Sequence, residues 1–132
     1  MFRGMTTITH WTADLKAAID WYTEVLGVPP YFERGGAYAE FRIGDYQHEL
    51  GLLDSRYAPA GTVIEPGGQI CYWAVDDVEA AYQRLLDLGG KPHDPPTVRG
   101  EGYVTASVID PFGNILGVMY NVHYLDVLAS RG

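Results

Sequence analysis

The sequence is poor in cysteine, and it has no long apolar run. Cys71 is the single cysteine among 132 residues, which excludes a disulfide or a thiolate metal cluster within one chain. We expect Cys71 to be a small buried apolar side chain on a strand. The lack of a long apolar run argues against a membrane span, and residues 1–4 followed by threonine-rich sequence show no signal-peptide core. These absences predict a cytoplasmic protein.

Basic residues are also scarce. Nine Lys and Arg stand against seventeen Asp and Glu, which gives a formal net charge of −8. Such a chain repels a phosphate backbone, so nucleic acid is not an expected partner, whereas a neutral or cationic ligand is permitted. No nucleophile constellation or phosphate-binding loop is present, because the runs Gly35-Gly36 and Gly67-Gly68 lack the spacing of a nucleotide-binding fingerprint.

What the chain does contain is an internal duplication. Residues 36–53 superimpose without a gap on residues 102–119, and the sequence after Asp14 repeats after Asp77. The two copies predict two modules, each with a strand, a helix and several further strands. The coinciding pairs are Gly36/Gly102, Ile43/Ile109, Leu50/Leu116 and Gly51/Gly117.

Local patterns place the elements. An aspartate can cap each helix start, and a glycine ends each apolar helical stripe, at Gly27 and Gly89. Alternating segments around turns predict one hairpin in each module. The predicted strands are 5–11, 37–43, 49–53, 69–75, 103–109 and 114–120, with a loop at Pro92, Pro95 and Pro96 and a weakly helical tail.

The length fits one folding unit that contains both modules, because a module of about half this size would bury too little apolar surface alone. We therefore predict a single domain over residues 1–132. Its parts are a first module at 5–54, a linker at 55–68, a second module at 69–122 and a tail at 123–132.

The duplication, the helix sequence DLKAAIDWYTEVLG and the closing DPFGNILGVMYN together resemble the vicinal oxygen chelate superfamily. That superfamily includes glyoxalase I, bleomycin-resistance proteins, fosfomycin-modifying enzymes and extradiol dioxygenases. The resemblance covers residues 6–120. It implies an α+β fold of two βαβββ modules whose mixed sheets curl into a cup, and a homodimer.

The resemblance also implies where a metal would sit. Metal-dependent members hold one divalent ion through His, Glu or Gln on the first and last strand of each module. The matching positions here are Thr7, Gly51, Ile70 and Gly117, and none is a good ligand for a borderline or hard cation. We therefore expect no bound metal. The alternative is a displaced divalent-metal site that uses His48, Glu49 or Gln69.

Strand parity extends these four positions to a predicted ligand-binding surface, because residues two apart share a face. The two glycines would either allow a bulge or a close approach of strands, or leave volume in an aromatic and apolar lining, which is how small-molecule sites are commonly built. The predicted lining is Thr7, Thr9, Trp11, Gly51, Leu53, Ile70, Tyr72, Tyr103, Gly117 and Met119.

The remaining polar residues have mostly structural interpretations. His10 has the opposite parity to Thr7 and should face the helix layer, and Asp76-Asp77 should cap the second helix. His48 beside Glu49 is the only local acid–base pair on a strand predicted to border the cup, so these two are the candidate catalytic residues.

Three functions follow. The leading hypothesis is a metal-independent protein that binds a small amphipathic or aromatic molecule and sequesters it or modifies it. The first alternative is a lyase or isomerase of the glyoxalase type, with His48 or Glu49 as general base near a displaced metal. The second alternative is a non-catalytic ligand-sensing or partner-binding domain.

Overall fold

A computed structural model describes residues 1–131 of the chain. The chain divides into two compact units, the first from Met1 to Ile64 and the second from Glu65 onward. Each unit is a four-stranded mixed sheet with a helix after its first strand. The α+β fold of two βαβββ modules is therefore confirmed.

The first unit has the strand order β1-β4-β3-β2. Strands β1 and β4 are parallel, and the other neighbours are antiparallel. A short 3-10 helix follows the last strand. The elements are β1 (Thr7–Thr12), α1 (Leu15–Leu26), β2 (Phe32–Arg34), β3 (Tyr38–Ile43) and β4 (His48–Asp54).

The second unit repeats this topology with the order β5-β8-β7-β6, again with one parallel pair, β5 and β8. The elements are β5 (Cys71–Ala74), α2 (Val78–Asp87), β6 (Lys91–Gly100), β7 (Tyr103–Ile109), β8 (Ile115–Asn121) and α3 (Val122–Ser130). In the described residues, 1–131, no helix has the length and apolar character needed to cross a membrane.

The helix ends form as predicted. The Asp14 carboxylate accepts a hydrogen bond from the backbone N–H of Ala17 at 3.1 Å, and Asp77 accepts one from Ala80 at 3.1 Å. Both bonds satisfy N–H groups that have no partner inside the helix. Gly27 ends α1 with a φ of 73°, a left-handed conformation that glycine adopts at little cost.

One face of each sheet packs against the helix of its own unit and forms the core. In the first unit, His10 belongs to this face and is only 5% exposed, and its Nδ1 lies 2.9 Å from the Tyr22 hydroxyl. The predicted helix-facing position of His10 is confirmed. The buried apolar residues are Leu15, Ala18, Tyr22, Ala39, Phe41, Leu50 and Leu52 in the first unit and Val78, Leu85, Ala106, Val108, Leu116 and Val118 in the second.

Two strands were not predicted. The segment with Pro92, Pro95 and Pro96 is not a loop but the edge strand β6, whose pairing with β7 shifts register between Pro92 and Asp94 and again before Thr97. Proline lacks a donor, so it is tolerated at an edge and at such irregularities. The short β2 was also missed, and the weakly helical tail contains the helix α3.

The duplication is correct, but its gapless superposition is not. Gly51 pairs with Glu40 in the first sheet, whereas Gly117 pairs with Ser107 in the second. Residues 44–47 join β3 to β4, and the longer segment 110–114 joins β7 to β8. The extra residue shifts β7 by one position relative to β3, so Glu40 corresponds to Ser107.

Candidate functional site

The four metal positions of the family lie on the sheet faces turned away from α1 and α2, which we term the distal faces. Thr7 and Gly51 are on the first distal face, and Gly117 is on the second, with Ile70 directly before β5. Thr9 stands opposite Gly51, and Tyr72 stands opposite Gly117. The two glycines thus occupy matching positions in the two sheets.

The strand register shows which of the predicted lining residues share a face within each unit. Cross-strand partners share a face, and the register puts each group of lining residues on one distal face. The binding role of these residues stays a prediction. The first group is Thr7, Thr9, Trp11, Gly51 and Leu53, and the second is Ile70, Tyr72, Tyr103, Gly117 and Met119.

The space over Gly51 is filled by a tyrosine. A Cβ atom added to Gly51 would lie 2.5 Å from the Tyr38 hydroxyl oxygen and 2.8 Å from its Cε1. Both distances are well inside van der Waals contact. Tyr38 reaches this place from β3, where it pairs with Leu53.

The space over Gly117 is filled as well, and more tightly. An added Cβ would lie 2.7 Å from Cδ1 of Tyr72 and 2.9 Å from both the Cys71 carbonyl oxygen and Cγ2 of Ile70. The two glycines therefore admit close packing of other groups, which favours the close-approach interpretation. The alternative, that the missing side chains leave volume for a ligand, is wrong, because neighbouring side chains fill that space.

These residues do not fit a divalent metal at the family positions. The Thr7 hydroxyl donates a hydrogen bond to Oε1 of Glu49 at 2.8 Å, and Ile70 and the glycines offer no side-chain donor atom. A borderline cation is held mainly by imidazole, thiolate or carboxylate ligands, and a hard cation by carboxylate and carbonyl oxygens. In residues 1–131, no group of three or more His, Cys, Asp or Glu is arranged to hold a metal ion.

The proposed acid–base pair of His48 and Glu49 does not form. The two residues are consecutive on β4, so their side chains point to opposite faces. The Glu49 carboxylate bonds to Thr7 on the distal face, whereas the His48 ring lies 5.6 Å from the Tyr46 ring, measured between centroids. Gln69 is exposed in the second unit. Adjacency in sequence was misleading, because successive side chains on a β-strand point to opposite faces of the sheet.

The first distal face instead carries a tyrosine–glutamate cluster, which comprises Thr7, Tyr31, Tyr38, Glu40 and Glu49. The Tyr31 hydroxyl contacts Oε2 of Glu40 and lies 3.4 Å from Oε2 of Glu49. The Tyr38 hydroxyl bonds to the other oxygen of Glu40. The first distal face therefore carries polar and charged groups as well as the predicted residues Trp11 and Leu53, so its lining is more polar than we expected.

Nearby charges and burial raise the pKa values of two residues of the cluster, and an arginine stacks on a third. Burial raises the pKa of Glu40, the charge of Glu49 raises it further, and Arg42 opposes both effects. Burial and the Glu49 charge also raise the pKa of Tyr38. The Arg42 guanidinium carbon lies 4.1 Å from the centre of the Tyr31 ring, so Arg42 stacks on Tyr31.

Sequence reasoning missed Tyr31, Tyr38, Glu40 and Arg42 as site residues. The signal was present for three of them, because Tyr38, Glu40 and Arg42 alternate along β3 and so share the face of Gly51. Tyr31 precedes β2, and no periodicity marks it.

The second distal face has a different polar group. Ser107 is fully buried, and its hydroxyl lies 2.7 Å from Nδ1 of His93. Arg99 donates a hydrogen bond to Thr105 at 3.1 Å and pairs with Asp94 at 2.9 Å. The polar residues on the distal faces of the two units therefore diverged after the duplication.

A cleft of about 600 Å³ lies elsewhere in the first unit, beside the start of α1. None of the ten predicted lining residues contributes to it, so it is separate from the candidate site. It is lined by Ala13, Asp14, Leu15, Lys16, Ile19, Asp20, Glu33, Gly35, Gly36 and Asp54.

Comparison with protein families gives the identity. Residues 4–118 match the family described as the Glyoxalase/Bleomycin resistance protein/Dioxygenase superfamily. The chain belongs to this superfamily. No curated protein matches the sequence significantly.

Solved structures of the superfamily share the fold. A glyoxalase-related enzyme from Fulvimarina pelagi is 22% identical with a TM-score of 0.74, covering 92% of this chain and 90% of its own. Lactoylglutathione lyase from Agrobacterium tumefaciens is 21% identical with a TM-score of 0.68, covering 90% and 94%. The bleomycin resistance determinant encoded on the transposon Tn5 is 19% identical with a TM-score of 0.63, covering 89% and 98%. Identities this low support a shared fold only.

Proposed function

We propose that this superfamily member binds a small amphipathic or aromatic organic molecule on a distal face and does so without a bound metal ion. The predicted lining offers Trp11 on the first distal face and Tyr72 on the second, and the tyrosine–glutamate cluster adds hydrogen-bonding groups to the first distal face. Apolar and aromatic surface with a few placed polar groups is typical of small-molecule sites. Binding serves either sequestration or a modification that needs no metal.

The packing over the two glycines carries this proposal. A metal ligand at position 51 or 117 needs a side chain, and Tyr38 and Tyr72 fill the space that such a side chain would enter. The hydroxyl of Thr7, a third family position, is already bonded to Glu49. The opposed directions of His48 and Glu49 also weaken the alternative of a displaced metal site.

A thermal-shift screen tests both parts of the proposal. The chelator-treated chain is mixed with Zn²⁺, Ni²⁺ or Mn²⁺, and separately with a panel of small aromatic and amphipathic compounds. A ligand that binds only the native state raises the melting temperature. We expect a rise with members of the compound panel and none with the metals.

Matched variants locate the binding. Thr9→Lys places a long charged side chain on the first distal face, whereas Ala80→Lys makes the same kind of change at an exposed position on α2. We expect the shift to be lost in Thr9→Lys and kept in Ala80→Lys. A metal-dependent rise that disappears in Glu49→Gln would instead support the displaced metal site.

We also propose a homodimer, because the superfamily resemblance implies this assembly. A mass measurement by light scattering at micromolar concentration checks it, and a monomer would contradict it. The cytoplasmic location remains a proposal based on composition.

A further inference from the structure

The tyrosine–glutamate cluster has more oxygen–oxygen contacts than hydroxyl protons. It has four oxygen–oxygen contacts: Thr7 with Glu49, Tyr31 with Glu40, Tyr31 with Glu49, and Tyr38 with Glu40. A threonine or tyrosine hydroxyl has one proton to donate, and an ionised carboxylate has none. Three hydroxyls therefore supply three protons for four contacts.

The excess contact is at Tyr31, whose single hydroxyl proton faces two carboxylate oxygens. Its hydroxyl lies between Oε2 of Glu40 and Oε2 of Glu49 and can donate to only one of them. The second contact becomes a hydrogen bond only if one carboxyl group is protonated and donates to the Tyr31 oxygen. The position of Tyr31 is fixed independently, because its backbone N–H donates to the Glu40 carbonyl oxygen at 3.0 Å.

Neither carboxyl group has an ion-pair partner among residues 1–131, although the charge of Arg42 opposes the rise in the pKa of Glu40. In the described chain, neither Glu40 nor Glu49 has a Lys, Arg or His nitrogen within 4.0 Å. Arg42 is paired in register with Glu49, yet its guanidinium stacks on the Tyr31 ring. Two like charges that approach one hydroxyl disfavour the doubly ionised state.

Besides Arg42, the first sheet contributes one further basic side chain, Arg34, to this face. Strand β1 contributes Thr7, Thr9 and Trp11, which carry no charge. Strand β2 contributes Arg34, whose guanidinium lies over the Phe32 ring with its carbon 5.9 Å from the ring centre. The remaining titratable groups are Tyr31, Tyr38, Glu40 and Glu49, and helix α1 packs on the opposite face.

We infer that Glu40, Tyr31 and Glu49 form an acid–base site in which two carboxyl groups share one proton through the tyrosine hydroxyl. The raised pKa of Glu40 agrees with this geometry. A carboxyl group that keeps its proton can donate it to a carbonyl oxygen and later recover it, which leaves all other bonds of the site unchanged. The site therefore suits a substrate or ligand with a carbonyl group. It exists in the free chain, whether or not the molecule of the proposed function binds.

Carbon-detected NMR of the whole chain, labelled in its glutamate carboxyl carbons, measures the titration of Glu40 directly. We expect Glu40 to titrate at a higher pH than an ordinary glutamate. In Glu49→Gln the like charge is removed, so the midpoint of Glu40 should move down towards the ordinary value. Glu33→Gln is the matched control, because Glu33 is exposed on β2 and has the parity of the other face, and it should leave the midpoint of Glu40 unchanged.

The pH dependence of stability gives a second measurement that needs no assignment. Because the folded state holds the Glu40 proton more tightly than the unfolded state does, this group makes stability fall as pH rises from the ordinary glutamate pKa through the raised one. Glu40→Gln should remove that slope while the chain stays folded. An ordinary or lowered midpoint for Glu40, a midpoint unmoved in Glu49→Gln, or an unchanged slope in Glu40→Gln would each overturn the inference.

Discussion

Gly51 and Gly117 occupy the same place in two sheets of the same topology, yet different strands cover them. Tyr38 reaches Gly51 from β3, the antiparallel neighbour, whereas Tyr72 reaches Gly117 from β5, the parallel neighbour. The matching positions are not aromatic, because Thr105 corresponds to Tyr38 and Thr9 corresponds to Tyr72.

This comparison shows that the duplication preserved the backbone register and the packing requirement but not the side chain that meets it. A glycine in a strand weakens the sheet unless a neighbour packs over it. Each module acquired one tyrosine for this purpose, from opposite sides. The remaining polar residues then diverged, with Glu40 in the first module where the second has Ser107.

The largest expected difference between the two units is in the stability lost when a core side chain beneath the helix is truncated. Phe41 and Val108 are fully buried at matching positions. Phe41→Ala should cost about 3–5 kcal/mol of unfolding free energy and Val108→Ala about 2 kcal/mol, because the phenyl ring leaves the larger cavity. Denaturant unfolding measures both, with the exposed Val98→Ala as control at below about 0.5 kcal/mol. Equal losses of unfolding free energy in the two variants would contradict this prediction, because the cavity left by the phenyl ring would then carry no extra cost.

An intermediate contrast concerns the glycines themselves. Gly117→Ala should cost about 2–3 kcal/mol, because the new methyl group meets the Cys71 carbonyl, which is backbone. Gly51→Ala should cost less than about 1 kcal/mol, because the three atoms nearest to the new methyl group belong to the end of the Tyr38 side chain, which can move.

Double variants sharpen this contrast. The double variant Tyr38→Ala/Gly51→Ala should have the same unfolding free energy as Tyr38→Ala alone. Gly117→Ala should still be destabilising in a Tyr72→Ala background, because the Cys71 carbonyl and Ile70 remain. If Gly117→Ala caused no loss of unfolding free energy in the Tyr72→Ala background, the account of Gly117 would be contradicted.

The smallest contrast compares a polar with an apolar core pair. His10 and Tyr22 are hydrogen-bonded in the first core, and the corresponding residues of the second are Trp73 and Leu85. Tyr22→Phe should cost about 1 kcal/mol, because the His10 ring loses this partner in a buried place. Tyr82→Phe on α2 is the control, and a difference of zero between the two in denaturant unfolding would contradict a structural role for the bond.

The sequence predicted much of the fold because its signals are local. Asp14, Asp77 and Gly27 mark helix ends, and alternation marks most strands. It could not reveal the longer turn before β8, since a single inserted residue leaves the hydrophobic pattern readable in either register. The edge strand β6 was hidden by its prolines.

The candidate site was less predictable, because it depends on contacts between strands. The positions of Thr7, Gly51, Ile70 and Gly117 followed from the resemblance, but the rings over the glycines are set by the three-dimensional register. Tyr31 joins Glu40 and Glu49 from outside the strands. Such an approach leaves no periodic trace in the sequence.

Anomalous diffraction from crystals soaked in Zn²⁺ and Ni²⁺ tests the central claim most directly. The packing of Tyr38 and Tyr72 over the two glycines predicts no anomalous peak beside Thr7, Gly51, Ile70 or Gly117, with both rings in place. A well-occupied ion bound by side chains at these positions, with the rings displaced, would contradict it.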